Sequence, residues 1–324
     1  MSKRRISDKQ SARIEKKQTR FRQETASTDD TKATTSGLVI TRYGRHAQIE
    51  NAEKSRIHCS IRPNLESLVA GDRVIWQAEG NRQGVVISCF PRESVLGRPD
   101  KQGRLRPVAA NITQIMIVVA PKPQISWSLL DSYLVVAERL RLHACIVLNK
   151  IDLASAELQQ QLLRQYDPLG YPILFTGHDN SEGYLSLQKA LDNHTSVFVG
   201  QSGVGKSSLI SHILPLEENI QTGAISVGSE LGCHTTSNSF FYHLPTGGAL
   251  IDSPGVREFG LWHMPAREVA KGYREFVPFL DQCKFRNCNH RDAPGCALLQ
   301  ALHAGLIAPS RYENYVKIST QFAK

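Results

Sequence analysis

The chain has 324 residues, of which 41% are hydrophobic and 21% are charged, so its composition is that of a globular protein of two or three domains. No apolar run approaches the ~18 residues of a membrane-spanning helix, and the charged N-terminus lacks the apolar segment of a secretory signal. The formal net charge of +9 favours a polyanionic partner. We therefore expect a cytoplasmic monomer with no membrane partner.

The first 35 residues are polar and basic. Residues 1–25 contain nine Lys and Arg against three Asp and Glu, which is 9 − 3 = +6 of the net charge. Because such a segment cannot bury enough apolar surface to fold alone, we predict a basic disordered arm over residues 1–35. The interpretation we favour is that the arm follows a phosphate backbone, and the alternative is a solubilising tail.

Residues 36–97 contain short runs of β type separated by turn signals. The runs cover residues 37–43, 47–50, 57–61, 71–76 and 84–90. This spacing predicts a small closed all-β barrel, with an OB-fold as the first choice. Such barrels often bind RNA through basic and aromatic side chains, although a barrel without a ligand is an alternative. The candidate RNA contacts are Arg42, Tyr43, Arg45, Arg56 and Arg62.

A Gly-, Pro- and Arg-rich stretch predicts a linker over residues 98–110, and strand-like and helix-like segments then alternate over residues 111–265. The predicted strands are 112–119, 144–148, 173–175, 197–199, 239–243 and 249–251, and the predicted helices are 127–142, 154–166, 185–191 and the segment after 206. This alternation predicts an α/β domain with a parallel-rich sheet, whose ligands bind at the carboxyl ends of the strands.

Between one of these strands and the next helix lies a sequence that fits the phosphate-loop pattern G-x-x-x-x-G-K-[ST]. Its glycines let successive backbone N–H groups point at phosphate oxygens, Lys206 supplies a positive charge, and the Ser207 hydroxyl can bind Mg²⁺. The alternative is a glycine turn that binds nothing, but both flanking segments favour a nucleotide site. The predicted nucleotide-binding residues are Gly200, Gln201, Ser202, Gly203, Val204, Gly205, Lys206, Ser207 and Ser208.

A second motif, N-K-x-D, begins at Asn149 and directly follows a predicted strand. The Asp152 carboxylate can accept hydrogen bonds from N1–H and the exocyclic amine of guanine, a pattern that adenine lacks, so it predicts selection of GTP over ATP. Asn149 and Lys150 would brace the loop and the base. Any strand-to-helix turn can carry this short pattern, but its combination with a phosphate loop is specific. Thr176 and Gly177 end the next strand, where they are predicted to back the base.

The sequence D-S-P-G at residues 252–255 ends another predicted strand. Asp252 can hold Mg²⁺ through water, and the N–H of Gly255 can contact the γ-phosphate. The Gly/Ser/Thr-rich stretch at residues 222–238 is predicted to be a switch loop that supplies a threonine to Mg²⁺, with Thr236 as the first choice and Thr235 as the second. An ordinary polar loop is the alternative.

The order of these motifs differs from that of ordinary GTPases, in which N-K-x-D comes after the phosphate loop. The same sheet can be built when the chain termini are moved, so the order indicates a circular permutation. Val256 occupies the place where Ras-like enzymes have a glutamine that positions water. The candidate catalytic residue is therefore His234 in the switch loop, whose neutral imidazole can orient or deprotonate water, unless it is an inert loop histidine.

Three of the seven cysteines lie close together near a histidine in the C-terminal part of the chain. The spacing C-x₄-C-x-H-x₅-C is typical of a closed tetrahedral Zn²⁺ site that stabilises a fold, with redox chemistry or chance clustering as the alternative. The predicted zinc ligands are Cys283, Cys288, His290 and Cys296. We predict a zinc-binding domain over residues 266–324, in which residues 297–324 form one or two helices.

The whole set resembles the circularly permuted GTPase family RsgA, the ribosome small-subunit-dependent GTPase A, from about residue 37 to the end. The motifs that carry the resemblance are N-K-x-D, G-Q-S-G-V-G-K-S-S, G-x-H-T-T at 232–236, I-D-S-P-G-V-R-E-F-G-L-W at 251–262 and the Cys/His cluster. The resemblance implies an N-terminal OB-fold, a permuted P-loop GTPase domain and a C-terminal zinc domain. The family's catalytic histidine falls on His234, and its zinc ligands fall on the cluster described above.

The resemblance also implies a role in late maturation of the small ribosomal subunit, with weak GTP hydrolysis that the subunit stimulates. We expect GTP to favour binding to rRNA, and hydrolysis to GDP to release the mature particle. Two departures from the family are Ser237, where a third threonine is frequent, and the pair Thr176-Gly177, where a Ser-rich pair is usual. The rival functions are a passive RNA-binding assembly protein with a vestigial nucleotide site and an ATP-driven enzyme.

Overall fold

A computed structural model of the chain describes residues 34–63, 65, 67–80, 82–99, 105–214, 239–253 and 264–321. Residues 1–33 of the predicted arm and the predicted switch residues His234, Thr235, Thr236 and Gly255 lie outside these ranges. The chain divides into two compact units, one reaching Leu68 and resuming over Asp72–Arg92, the other comprising Val69–Gly71 and the chain from Glu93 onward. Within the described ranges, no helix combines the length and the apolar character needed to cross a membrane.

The first unit is a closed barrel. Its strands are β1 (Thr34–Tyr43), β2 (His46–Glu50), β3 (Arg56–Ile61), β4 (Arg73–Ala78) and β5 (Gln83–Cys89). Antiparallel pairing joins β1 to β2, β2 to β3, β4 to β5 and β1 to β4, and parallel pairing joins β3 to β5. Because each strand pairs on both sides, the barrel closes on itself, as predicted for an OB-fold.

Alternate residues of the barrel strands point inward and fill the interior, as the pleat of a strand requires. They are Val39, Ala47, Ile49, Ile57, Cys59, Val74, Trp76 and Val86, together with Leu68 from a connecting segment. At one end of the barrel, the guanidinium of Arg92 binds both carboxylate oxygens of the fully buried Asp72, at 2.7 and 2.8 Å. Arg42, one of the candidate RNA contacts, donates hydrogen bonds to Gly44 O and Ser67 Oγ, so its guanidinium braces the barrel's own loops.

The second unit begins with a hairpin. Strand β6 (Val95–Pro99) pairs antiparallel with β7 (Leu105–Ala110), so part of the segment predicted to be a linker is a paired strand. The central sheet follows, with strands β8 (Gln114–Val119), β9 (His143–Leu148), β10 (Ile173–Phe175), β11 (Thr195–Val199), β12 (Phe240–His243) and β13 (Ala249–Asp252). Its order is β10-β9-β8-β11-β13-β12, with β12 antiparallel and the other pairs parallel, as the alternating pattern predicted.

A helix follows each of the parallel strands β8, β9, β10 and β11. These helices are α1 (Trp127–Leu140), α2 (Ala156–Tyr166), α3 (Ser181–Leu191) and α4 (Lys206–Ile213). The hydroxyl of Ser155 accepts a hydrogen bond from Leu158 N, and the Asn180 side chain accepts one from Gly183 N, so both side chains cap the helices that follow them. The cap at Asn180 explains why α3 begins four residues before the helix predicted at 185–191.

The C-terminal region is helical. It contains α5 (Ala266–Ala270), a 3₁₀ helix (Val277–Gln282), α6 (Ala297–His303) and α7 (Pro309–Gln321). Two of these follow the Cys/His cluster, in agreement with the prediction for residues 297–324. Because α7 packs against α1, the C-terminal helices belong to the same compact unit as the α/β domain. The barrel, the α/β domain and the helical region with its Cys/His cluster confirm the predicted fold class.

Candidate nucleotide site and metal centre

The predicted nucleotide-binding residues within the described ranges all lie at the carboxyl ends of parallel strands. Asn149 follows β9, Thr176 follows β10, Gly200 follows β11, and Asp252 ends β13. Strand β11 pairs with β8 on one side and with β13 on the other, so the phosphate loop leaves the middle of the sheet. This edge is where open α/β sheets bind their ligands.

The phosphate loop leads directly into helix α4, which begins at Lys206. Gly205 has φ of +98°, and a Cβ at this position would overlap the amide nitrogen of Asn149, so only glycine fits here. The buried Lys206 ammonium donates hydrogen bonds to the carbonyl oxygens of Gly200 and Gln201, at 2.7 and 2.6 Å. A positive charge and the N-terminus of a helix therefore lie together at this loop, which suits the binding of phosphates.

The N-K-x-D loop is joined to the phosphate loop by two side chains. The amide nitrogen of Asn149 donates to Val204 O at 2.9 Å, and the Lys150 ammonium donates to Gly203 O at 2.7 Å. The Lys150 ammonium also donates to Lys122 O at 3.1 Å, three residues after the end of β8. These contacts bring residues that are far apart in the sequence to one place.

Thr176 and Gly177 support this loop from the neighbouring strand end. The hydroxyl of the fully buried Thr176 donates to Asn149 Oδ1 at 3.0 Å, so it orients the carboxamide rather than facing solvent. A Cβ at Gly177 would lie 3.1 Å from Asp152 Oδ1, which shows how closely the two loops approach. Asp152 is exposed in a 3₁₀ turn (Ile151–Leu153), where a base can reach its carboxylate.

The predicted Mg²⁺ ligands are only partly described. Ser207 lies in the first turn of α4 and Asp252 at the end of β13, on the neighbouring strand to the one that leads into the phosphate loop, and both are half-buried. Ser207 and Asp252 therefore lie on the same edge of the sheet. Thr236, Gly255 and the predicted catalytic residue His234 lie outside the described residues.

The structure also brings the four predicted zinc ligands together. Their ligand atoms lie within 4.8 Å of one another in Cys283, Cys288, His290 and Cys296. The Sγ atoms of Cys283 and Cys296 are 3.9 Å apart, and they lie 3.6 and 3.7 Å from His290 Nδ1. A tetrahedral site with Zn–S bonds of about 2.3 Å has edges of about 3.8 Å, so the donor set and its spacing fit Zn²⁺.

The pKa shifts in the Cys/His cluster also favour a bound metal ion. Burial raises the pKa of the Cys296 thiol to about 12, and burial lowers the pKa of the His290 imidazole. Both shifts express the unfavourable burial of an isolated charge, which a divalent cation among thiolates offsets. Tyr312 on α7 donates a hydrogen bond to His290 O at 2.9 Å and holds this turn against the helix. The cluster can therefore hold a metal ion.

The profile of a family described as RsgA GTPase matches residues 89–262, which is more than half of the chain. The chain belongs to the RsgA GTPase family. It is 48% identical over 295 residues to small ribosomal subunit biogenesis GTPase RsgA 1 of Vibrio parahaemolyticus, covering 88% of this chain and 83% of the relative. It is 45% identical over 335 residues to the RsgA of Proteus mirabilis, covering 98% and 95% of the two chains.

Solved structures agree with this assignment to the RsgA family. The fold superposes on YjeQ from Thermotoga maritima with a TM-score of 0.73 and 31% identity, covering 90% of this chain and 99% of that one. It also resembles YloQ, described as a circularly permuted GTPase, with a TM-score of 0.70 and 25% identity, covering 90% and 95%. The predicted family, the permuted motif order and GTP hydrolysis as the activity are confirmed.

One contact of this RsgA-family nucleotide site could not be predicted from its motifs. The side-chain oxygen of Gln201, in the phosphate loop, accepts a hydrogen bond from Ser126 N at 3.0 Å, at the N-cap position of α1. Residue 201 is one of the unspecified positions of the phosphate-loop pattern, so the motif does not predict this contact. The only signal in the sequence was that the side chain at this position is an amide, which can form hydrogen bonds.

Proposed function

We propose that this GTP hydrolase acts in late biogenesis of the small ribosomal subunit, that it binds rRNA of the immature particle, and that hydrolysis of GTP to GDP releases it. The observation that carries the proposal is the double link between the N-K-x-D loop and the phosphate loop, through Asn149 to Val204 and Lys150 to Gly203. These two hydrogen bonds hold the base-binding loop and the phosphate loop in the geometry that nucleotide binding requires, which favours a functional site over a vestigial one. Relatives that match most of the chain are named small ribosomal subunit biogenesis GTPases.

In the proposed nucleotide site, the guanine base lies against Asp152, with Asn149, Lys150, Thr176 and Gly177 shaping its pocket. The triphosphate lies on the loop 200–208, where backbone N–H groups, the dipole of α4 and the Lys206 ammonium offset its charge. Asp152 is exposed at the mouth of this site, so its carboxylate is available to the edge of the base. Competition between GTP and ATP for a fluorescent guanine nucleotide tests this selectivity.

For hydrolysis, we propose that Ser207, Thr236 and Asp252 hold Mg²⁺ and that Gly255 contacts the γ-phosphate. The metal ion would neutralise charge that develops on the phosphate oxygens. His234 is proposed to orient or deprotonate the attacking water, since Val256 cannot hydrogen-bond through its side chain. These roles are supported by the sequence motifs and by the location of Ser207 and Asp252 at one edge of the sheet.

The Cys/His cluster is proposed to bind one structural Zn²⁺. All four ligand positions come from the protein, which leaves no open coordination position for a substrate. The metal would hold the turn before α6 in its fold, and the helices that follow would depend on it.

Contact with rRNA is proposed for the basic arm over residues 1–35 and for the exposed barrel residues Tyr43, Arg45, Arg56 and Arg62. The net charge of +9 supports this, since neutralising phosphates contributes most of the affinity for RNA. Arg42 is not included, because its guanidinium is engaged by the barrel.

The experiment that tests the proposal is a measurement of the GTPase rate with and without purified small ribosomal subunits. We expect the small subunit to raise the turnover rate, while large subunits and the Lys206→Ala variant serve as controls that show no increase. A rate that the small subunit leaves unchanged would favour the passive RNA-binding role. Hydrolysis of ATP at a comparable rate would overturn the assignment to guanine nucleotides.

A further inference from the structure

We propose that Gln201 and Asp131 are positioning residues through which helix α1 makes the geometry of the phosphate loop depend on how the C-terminal helix α7 is seated. Helix α1 is the connection between the two. Gln201 of the phosphate loop contacts its N-terminus at Ser126, which is the first end, and Asp131 on α1 binds Arg311 and Asn314 of α7, which is the second end. The inference rests on the nucleotide site proposed above, and it can be tested on the free protein, without ribosomal subunits.

The first end of the connection lies at the N-terminus of α1. Ser126 occupies the N-cap position, and its N–H donates to Gln201 Oε1 at 3.0 Å. The half-buried Gln201 follows Gly200, and its carbonyl oxygen accepts a hydrogen bond from the Lys206 ammonium at 2.6 Å. One residue thus contacts both α1 and the lysine that is proposed to bind the outer phosphates.

The second end is a buried ionic network between α1 and α7. Arg311 of α7 forms an ion pair with Asp131 of α1 and a second one with Glu275, at 2.7 Å. Both Asp131 and Arg311 are almost fully buried. The remaining oxygen of Asp131 accepts from Asn314 of α7 at 2.8 Å, and the Tyr166 hydroxyl donates to the carboxylate at 2.8 Å.

This network defines one arrangement of the two helices. Burial raises the pKa of the Asp131 carboxyl, and the charge of Arg311 and the hydrogen bonds of Asn314 and Tyr166 oppose that shift. Without Arg311 the buried carboxylate would be left with an uncompensated charge, and without Asn314 or Tyr166 it would keep an unpaired acceptor. All of these contacts are therefore made only when α7 is packed in its observed position. Such groups favour a small number of discrete packings over gradual displacement.

Helix α7 is also in contact with the Cys/His cluster. Tyr312 donates to His290 O at 2.9 Å, and Arg291 donates to Ser319 Oγ at 2.9 Å. A force on this C-terminal region would therefore reach α7 directly. Helix α7 contacts both the Cys/His cluster and α1, and all three belong to the same compact unit.

The distance from the ionic network to the phosphate loop is short. Asp131 follows Ser126 by five residues, or about 7.5 Å along the helix axis at 1.5 Å per residue. A helical segment of this length transmits a displacement with little loss, because its backbone hydrogen bonds hold it as one body. A shift of α7 would therefore move Ser126, and with it the hydrogen bond to Gln201.

The test is a double-mutant cycle between the two ends. Gln201→Met removes the acceptor at nearly constant volume, and Asn314→Ala removes one partner of Asp131. The measurements are Kd for fluorescent GTP and GDP analogues, kcat and KM for GTP, and Tm. Arg311→Lys and Tyr166→Phe are additional variants that keep most of the network, in case Asn314→Ala lowers the yield of folded protein. Glu138→Gln is the matched control, because Glu138 binds Arg274 in a partly exposed ion pair at the far end of the same helix.

We expect Gln201→Met and Asn314→Ala each to weaken GTP binding or lower kcat by about three- to tenfold, and the double variant to be no worse than the stronger single one. Glu138→Gln should stay within about twofold of wild type and combine additively with Gln201→Met. Additive effects of Gln201→Met and Asn314→Ala, or α7 variants that lower Tm while leaving nucleotide binding and turnover unchanged, would overturn the coupling. Failure of the wild-type protein to bind GTP would instead refute the nucleotide site.

Discussion

The amide nitrogen of Asn149 donates a hydrogen bond to the main-chain oxygen of Val204, 2.9 Å away, although 55 residues separate them. In this chain the N-K-x-D motif precedes the phosphate loop, and this bond is where the two meet. Asn149 is only 6% exposed, so the orientation of its carboxamide depends on protein partners rather than on water. The Oδ1 atom of Asn149 accepts a hydrogen bond from the Thr176 hydroxyl at 3.0 Å.

Replacing Thr176 by valine should therefore weaken GTP binding. The substitution conserves the shape of the side chain but removes the hydrogen bond to Asn149 Oδ1, so a buried acceptor loses its donor. We expect a loss of about 1 to 2 kcal/mol, or ~5- to 30-fold in Kd for GTP, measured by titration with a fluorescent GTP analogue. Thr176→Ser keeps the hydroxyl and is the control that should retain affinity. Equal affinity in the valine variant and the wild type would show that Asn149 does not need this orientation.

His234→Ala should reduce turnover and spare GTP affinity. If the imidazole orients or deprotonates the attacking water, its loss removes a contribution of ~10²- to 10⁴-fold to the hydrolysis rate, while contacts to the bound nucleotide remain. Single-turnover hydrolysis and equilibrium binding measure the two quantities separately. His178→Ala, at an exposed position after Gly177, is the control expected to hydrolyse GTP as wild type does. A His234→Ala variant with unchanged turnover would reject the catalytic role.

Much of the fold was predictable because hydrophobic periodicity decides the local structure of this chain. The barrel strands and the parallel strands agree with their predicted positions within a few residues. An alternating apolar pattern indicates a strand buried on one face, and a short continuous apolar run indicates a strand buried on both faces. Helix α3 starts earlier than predicted because the cap at Asn180 acts through a side-chain hydrogen bond that leaves no periodic pattern. Strand β7 was assigned to a linker because its glycine-, proline- and arginine-rich surroundings resemble a loop.

In the candidate sites, too, local motifs were predictable from the sequence and contacts between distant residues were not. The phosphate loop, the N-K-x-D loop and the Cys/His cluster were predicted because each requires particular residue types at a fixed local spacing. The contact of Gln201 with Ser126 and the ion pair of Arg311 with Asp131 join residues that are far apart in the sequence and belong to no motif. Only the folded helices α1 and α7 bring those side chains together.

Removing zinc should destabilise the C-terminal region. We expect about one zinc per chain by elemental analysis, and a lower Tm after treatment with a chelator or in the Cys288→Ser variant, because the ligands would lose the metal that holds the turn. Cys89→Ser is the matched control, since Cys89 lies in barrel strand β5 and should leave the zinc content unchanged. Full zinc occupancy in Cys288→Ser would remove this cysteine from the ligand set.

Stability should fall as the pH drops below about 6.5, in part through His194. Its ring lies 4.8 Å from that of His143, at the amino ends of β9 and β11, and its Nδ1 lies 3.2 Å from Thr113 Oγ1. Burial and, secondarily, the neighbouring His143 lower the pKa of His194. The unfolded chain therefore binds a proton at a higher pH than the folded chain does, so this contribution is present above the ordinary histidine pKa of about 6.5 and is lost as the pH falls through it toward the lowered value.

The expected effect on Tm is small, about one or two degrees between pH 7 and pH 5.5, because His194 is only half-buried and solvent screens its interaction with His143. Thermal unfolding across this pH range, in wild type and in His194→Gln, measures it. The variant should lose less stability on acidification than the wild type does, because glutamine cannot take up the proton. His178→Gln, at an exposed loop position, is the control, and its Tm should depend on pH as that of the wild type does. Identical pH profiles for His194→Gln and the wild type would show that the histidine pair has no part in the acid sensitivity of the fold.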